Sequence, residues 1–353
     1  MTHLAHVSAA ALAALFAGAT AAPAQPAQGD PARLARIRAA KMPAVTKPVS
    51  FDTPEADAIL AALEIFPPDN PWNLAVVDWP RHPDSRAIVA SIGADKPLRC
   101  NEDMGFVLVP PGQPKVPFRI TQYADEADPG PFPIPDDLPI EGWPARVRRD
   151  PGTKGRTLDF VQRDTANEGG DRHAIVVDPT NRLLYEFFET KKTAAGWQGY
   201  AARFDLKSNK LRPEGWTSAD AAGLPIFPAV VRYDELKRGK VEHALRVTVR
   251  RSRQAHVYPA THHASRLTAA DLPRMGERLR LRADFPTAGF SPEVRVVLDA
   301  LKTYGMFVAD NGIEWAVSVA PDERIPPLHD ELRKVKGSDF EVVMPPPGYR
   351  PAK

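Results

Sequence analysis

The chain has 353 residues, with 46 lysines and arginines against 44 aspartates and glutamates and a formal net charge of +2. That balance excludes a global attraction for nucleic acid or for an acidic membrane surface. The single cysteine, Cys100, excludes an internal disulfide, and 38 prolines favour rigid loops over long helices.

Residues 8–19 (SAAALAALFAGA) form an apolar block too short to span a bilayer, followed by the small-x-small site Ala19-Thr20-Ala21. We read residues 1–21 as a signal peptide and expect a periplasmic or extracellular protein with no transmembrane segment in the mature chain. Residues 22–50 are rich in Ala and Pro and read as a disordered leader, with a transient helix over 32–41. Residues 51–344 read as one globular unit, and 345–353 as a tail.

Thr53-Pro54-Glu55 predicts a capped helix through Ile65. Residues 106–109 and 118–120 read as short strands joined by PPGQPK. The proline-rich stretch 128–144 predicts an extended loop that wraps a surface or serves function, and it holds Glu141 and Trp143. Residues 173–178, 183–189 and 201–206 predict strands, the first two joined as a hairpin. In the first, His173 shares a face with Ile175 and Val177.

Ser218 predicts a capped turn over 219–222 that Gly223 ends. Residues 241–249 alternate strictly. Val241, His243, Leu245, Val247 and Val249 share one face, and Glu242, Ala244, Arg246, Thr248 and Arg250 share the other. His243 is therefore the one polar side chain on an apolar face. Residues 256–260 and 279–285 read as strands, and the alternation in LRLRADF puts its arginines on a solvated face. Ser291-Pro292-Glu293 opens the clearest helix, with Val294, Val297, Leu298 and Leu301 on its apolar side. Residues 306–309 and 315–319 flank Asp310-Asn311-Gly312 and predict a hairpin.

Many short strands and few helices, without βαβ alternation, predict a mainly β fold: an antiparallel β-sandwich or jelly-roll-like domain with a few packed helices. No glycine-rich phosphate loop, GxSxG elbow, HExxH or CxxC is present.

The chemistry-bearing candidates are histidines and carboxylates. His173 and His243 on apolar strand faces, with His262 in the loop that follows, would form an acid/base or metal site if the fold gathers them with Asp171, Asp220 or Asp310. The bland alternative is that each histidine is a hydrogen-bonded core residue. No cofactor motif is evident; a divalent metal is compatible with the residue types. Glu186 and Asp205 are a second carboxylate pair on neighbouring strands, weighed against a solvated sheet face. Lyase chemistry would draw on His243, Tyr258, Arg246 and Arg232, although Arg246 points away from His243. Trp216 and Trp143 lie in loops, where aromatic rings serve as sugar platforms or as core plugs.

The segments GDRHAIVVD (170–178), LYEFFE (184–189), GWTSADAAGLPIFPAVVRYDE (215–235), HALRVTV (243–249), YPATHHAS (258–265) and YGMFVADNG (304–312) resemble an uncharacterised family of secreted bacterial proteins. The likeness spans about residues 64–344. It implies a single globular unit and an exported setting, and it carries over no catalytic residue.

The expectation that follows is an exported carbohydrate-active protein, a hydrolase or lyase on an extracellular polysaccharide. Its site would join His243, His173, Asp171, Asp220, His262 and Asp310, with Trp216, Trp143 and Arg246 on substrate. The alternative is a non-catalytic glycan-binding or cell-envelope protein with structural histidines.

Overall fold

Apolar alternation in residues 170–206 builds the first sheet. The computed structural model describes residues 29–349 and 351. The expected signal peptide (1–21) and the start of the leader lie outside the described residues. In chain order the strands are β1 (Val49–Ser50), β2 (Arg99–Glu102), β3 (Val107–Leu108), β4 (Phe118–Ile120), β5 (Ala174–Asp178), β6 (Leu183–Thr193), β7 (Gly196–Asp205), β8 (Leu245–Val249), β9 (Arg278–Leu281), β10 (Met306–Asn311), β11 (Ala316–Val319) and β12 (Phe340–Val343). The helices are α1 (Pro31–Ala39), α2 (Pro54–Ala62), α3 (Ser85–Ile92), α4 (Ala145–Arg149), α5 (Leu158–Gln162), α6 (Tyr233–Arg238), α7 (Pro292–Thr303) and α8 (His329–Leu332). None of the helices among the described residues is long and apolar enough to cross a membrane.

The strands form two six-stranded sheets, ordered β1-β3-β5-β6-β7-β4 and β12-β9-β10-β8-β11-β2. Both are mixed. The pairs β3·β5, β4·β7, β8·β10 and β2·β11 are parallel, so the β content and packed helices agree with expectation but the pairing is not purely antiparallel. Short buried strands have the same residue pattern in either direction, and that is why the pattern did not reveal it.

In the first sheet the β5–β6 hairpin forms as expected. Ile175, Val177 and Leu184 point into the larger core, while Ala174, Val176, Tyr185 and Phe187 point to the other face. The proline-rich loop covers that outer face with Phe132, Ile134, Leu138 and Ile140. Proline suits this role because it removes backbone donors that a covering strand would otherwise leave unpaired.

In the second sheet, Leu245, Val247, Met306, Val308, Leu279 and Leu281 are all fully buried in the larger core, and α7 packs there through Val294, Val297, Leu298 and Leu301. The opposite face is polar. Cross-strand partners Arg246 and Phe307, and Phe307 and Arg278, share it. Two expectations fail in this sheet. Arg278 and Arg280 are buried, not solvated, because backbone carbonyls of residues 71–79 cover them and accept their N–H groups. The expected 306–319 hairpin also does not form. β8 inserts between β10 and β11, pairing parallel to one and antiparallel to the other.

Residues 215–231 form a seam between the sheets. Tyr200 of β7 donates its hydroxyl to the Thr217 carbonyl at 2.9 Å, and Ala222 N–H donates to Ala309 of β10 at 2.9 Å. Val231 N–H then donates to Ser318 of β11 at 3.1 Å. The expected turn is present: Ser218 Oγ accepts from Asp220 N–H at 3.0 Å. Gly223 closes it at φ +74°, where a Cβ would sit 2.1 Å from Thr261 Oγ1 and 2.6 Å from the Trp216 carbonyl oxygen. Only glycine fits both the backbone and the space.

Part of the leader is ordered. Asp30 caps α1 by accepting Ala32 N–H at 2.9 Å, and Arg33, Ile37, Val45 and Val49 are buried. Burial of these side chains, with Val45 and Val49 in the larger core, outweighs a composition that by itself reads as disordered.

Candidate active site

Three strand ends and the polar face of β8 converge on one cleft of about 800 Å³, lined by Asp103, Glu141, Asp171, His173, Arg246, Thr248, Asp310 and Asn311 among others. Asp103 follows β2, His173 precedes β5, Arg246 and Thr248 sit on the polar face of β8, and Asp310 ends β10. The register of β10 against β8 shifts between Val308 and Asp310. That bulge makes Ala309 the extra residue and turns Asp310 toward the polar face beside Thr248.

Arg246 is fastened on both sides. Its Nε donates to Asp220 Oδ2 at 2.7 Å, its Nη2 donates to Asp220 Oδ1, and its Nη1 donates to Ser318 Oγ at 2.7 Å. Burial works against the Arg246 charge, but the Asp220 carboxylate more than compensates and keeps the guanidinium protonated.

Glu141, at the end of the proline-rich loop, clasps His173. Its backbone N–H donates to the His173 carbonyl at 2.8 Å, and its carboxylate accepts from His173 N–H at 3.2 Å and from Nδ1 at 2.9 Å. His173 Nε2 lies 3.0 Å from the Ala219 carbonyl oxygen, which can only accept. Both ring nitrogens therefore carry protons, and His173 is an imidazolium. Burial alone would lower its pKa; the hydrogen bond and charge of Glu141, with Asp220, lift it to about 10. Burial likewise disfavours the Glu141 anion, yet His173 holds that carboxyl down at about 2.

Two carboxyl groups in the same cleft behave differently. Burial, reinforced by the Glu141 charge, pushes Asp103 up to about 7. Burial, reinforced by Asp220, pushes Asp310 up to about 7 as well. In both cases Arg246 and His173 pull in the opposite direction. The cleft and the wall behind it thus hold two ion pairs, His173–Glu141 and Arg246–Asp220, and two carboxyls pushed up to about 7.

Donor atoms of His173, Asp220 and Asp310 lie within 4.8 Å of one another, close enough to be bridged by one ion. Their chemistry does not suit a cation. His173 has no free lone pair, both Asp220 oxygens are held by Arg246, and the guanidinium would repel a divalent ion.

Of the expected site residues, the structure brings His173, Asp220, Asp310 and Arg246 together and leaves Asp171 exposed on the rim. His262 lines an adjoining cavity of about 470 Å³ that shares Asp171, Asp310 and Asn311 with the cleft. Its Nδ1 donates to the Ala221 carbonyl at 2.7 Å. His243 is not part of the cleft. β8 begins only at Leu245, and the His243 ring is buried, with Nδ1 2.9 Å from the Ala244 carbonyl and Nε2 2.9 Å from Glu235 Oε1, off the line of an ideal hydrogen bond. It is a buried residue of the bend that precedes β8, not of the expected strand. Trp216 is half-buried against Arg212, 5.4 Å from its guanidinium, and Trp143 is half-buried at the loop end; neither ring lines the cleft or its neighbours.

Glu186 and Asp205 do not pair. Glu186 is fully buried and accepts the N–H groups of Ile226 and Phe227 at 2.9 and 2.8 Å, tying the seam to β6, whereas Asp205 is exposed at the end of β7. The lyase set is scattered too, since Arg232 is bound to Glu235 and Tyr258 lines a separate cavity. Asp103 and Glu141 were not among the expected site residues. Asp103 carries no periodic or motif signal. Glu141 stands in a loop already marked as wrapping a surface, and that was the one available clue.

Fold and site together define a β-rich protein with a polar, carboxyl-bearing cleft at the junction of two mixed sheets. No protein-family model, curated protein or solved structure matches this chain.

Proposed function

We propose that this chain hydrolyses a glycosidic bond of an extracellular glycan, with Asp103 and Asp310 supplying the acid and the base. The observation that carries this reading is the pair of carboxyls, both titrating at about 7, in one cleft. Near neutral pH the singly protonated form is well populated, so one group can protonate the leaving oxygen as its bond to the sugar carbon breaks, while the other, ionised, takes a proton from the water that attacks that carbon. His173 is unsuited to take a proton because both nitrogens already carry one. This favours hydrolysis over elimination within the carbohydrate reading. His173 holds the Glu141 carboxyl ionised, and the His173–Glu141 and Arg246–Asp220 pairs form a fixed electrostatic frame around the titrating pair.

A glycan suits the cleft because Asn101, Asp103, Glu141, Thr248, Asp310 and Asn311 line it, so hydroxyl groups find partners. The continuation past Asp310 and Asn311 into the second cavity, where exposed Tyr123 and half-buried Phe188 stand, supports a substrate longer than one sugar. Tyr123 takes the platform role expected of Trp216 and Trp143. The expected export of the chain is consistent with an extracellular polymer.

Purified protein incubated with a polysaccharide panel should release reducing ends without absorbance of unsaturated uronates. Turnover should survive chelation by EDTA and fall in Asp310→Asn and Asp103→Asn. Full turnover in both folded variants would sink the proposal. A non-catalytic glycan-binding or envelope protein is the second reading, favoured by the complete hydrogen bonding of His173 inside the protein. It predicts saturable glycan binding with no product.

A further inference from the structure

A separate cavity of about 180 Å³ lies by the 71–79 segment on the polar face of the second sheet, bordered by Arg278, Phe307, Trp79, Tyr258 and Tyr349. Three arginines share that sheet face, and two of them have a carboxylate. Arg246 holds Asp220, and Arg280 Nη2 holds Glu341 Oε1 at 2.5 Å. Arg278 has none. It is only 4 % exposed, yet forms no salt bridge with any described residue. Its nitrogens donate to the carbonyls of Tyr304, Pro71 and Leu74 at 2.7, 3.0 and 3.1 Å, and its guanidinium lies 4.0 Å over the Phe307 ring. The adjacent Glu277 cannot serve, because Arg274 takes it through Nε and Nη2 at 2.9 and 2.8 Å.

A guanidinium has five N–H groups, and three carbonyls leave two of them over. Carbonyl dipoles and a ring face lessen the cost of a buried cation but do not neutralise it. Burial accordingly depresses the Arg278 pKa to about 9. A second demand arises beside it: the Tyr258 hydroxyl is buried with no hydrogen-bond partner. The other walls are aromatic and aliphatic, with Trp79 and Tyr349 meeting edge to face at 5.4 Å beside Val257 and Val343, and the mutually paired Arg274 and Glu277 complete the border.

We propose that this cavity binds a small carboxylate with a flat apolar body, its oxygens on the spare Arg278 N–H groups and its ring among the aromatic walls. The volume admits one ring and not an oligosaccharide, so the ligand differs from the substrate of the cleft. The anion would supply the counter-charge that Arg278 lacks, and Tyr258 would gain an acceptor after a small side-chain adjustment.

Benzoate serves as the probe, with benzyl alcohol as its neutral counterpart, titrated calorimetrically into the full chain at neutral pH. Saturable one-to-one binding of benzoate is expected, with benzyl alcohol at least about tenfold weaker. Arg278→Gln should abolish binding. Because that variant risks misfolding, Tyr258→Phe and Tyr349→Ala are tested beside it, and each should weaken benzoate about threefold or more. Asp310→Asn should bind benzoate like the parent chain, which separates this site from the cleft. Absence of saturation up to about 10 mM, equal affinity for the alcohol, or parental affinity in both tyrosine variants would each overturn the assignment.

Discussion

Arg246 on β8 and Asp220 in the seam hold each other through two hydrogen bonds, and both side chains are almost wholly buried. This pair fastens the 215–231 segment to the second sheet and sets the electrostatic floor of the cleft. Removing one partner leaves the other as an uncompensated buried charge. Arg246→Met should therefore cost about 3–5 kcal/mol in urea unfolding. The double variant Arg246→Met, Asp220→Asn should recover part of that loss, because neither remaining group is charged. Equal destabilisation in the single and double variants would mean the pair does not act as a unit.

Asp310 illustrates opposed demands of stability and chemistry. Its carboxyl is held up to about 7, first by burial and then by Asp220, so above that pH the native state carries a poorly solvated anion. Asp310→Asn keeps an oxygen for the Asn311 N–H, which now donates to Oδ1 at 2.7 Å. At pH 8 the variant should melt at a higher temperature than the parent while losing about 10²-fold or more in turnover. A variant that is both less stable at pH 8 and fully active would contradict both roles.

The pH dependence of stability follows from which state binds more protons. Asp103, Asp310 and Glu186 keep theirs to about 7 against ordinary values of 3.8, 3.8 and 4.5, and His173 keeps its own to about 10 against 6.5. Over those intervals the native state is the more protonated, so stability falls as pH rises from 4 through 7 and on toward 10. Glu141, at about 2 against 4.5, acts in the opposite sense: its contribution is full above 4.5 and is lost as pH falls toward 2. Thermal melts should show maximal stability near pH ~4. A maximum at pH 8 or above would show that these groups do not govern the profile.

The two buried histidines should separate cleanly. His243→Gln should lower stability by about 1–3 kcal/mol through its lost packing and Glu235 contact, and leave turnover unchanged. His173→Gln removes a cation that pulls the Asp103 and Asp310 pKa values down. Its pH–rate optimum should move to higher pH, a displacement that a merely structural role would not produce. An unmoved optimum in a folded His173→Gln enzyme would exclude this electrostatic role.

Much of the local structure was legible. The α7 signal, the β5–β6 hairpin and the Ser218–Gly223 turn rest on contacts a few residues apart, and all three are present. The alternation expected over 241–249 holds as a strand only from Leu245 to Val249, and the face that carries the site is the other one. His243 is the polar exception in the apolar half of the pattern, whereas the cleft is built from the other half, through Arg246 and Thr248. Charged residues on a strand face have one pattern whether they meet water or line a buried site. Arg278 and Arg280 misled for the same reason.

By itself the sequence determined which residues share a strand face, where the firm helix begins and which turn needs glycine, because these depend on periodicity and backbone sterics over short spans. Only the tertiary structure decided that β8 lies between β10 and β11, that the 128–144 loop delivers Glu141 to His173, and that Asp103 faces Asp310's cleft. Those juxtapositions join segments far apart in the chain. They arise from sheet order and from the need to satisfy buried charges, and no local pattern encodes either.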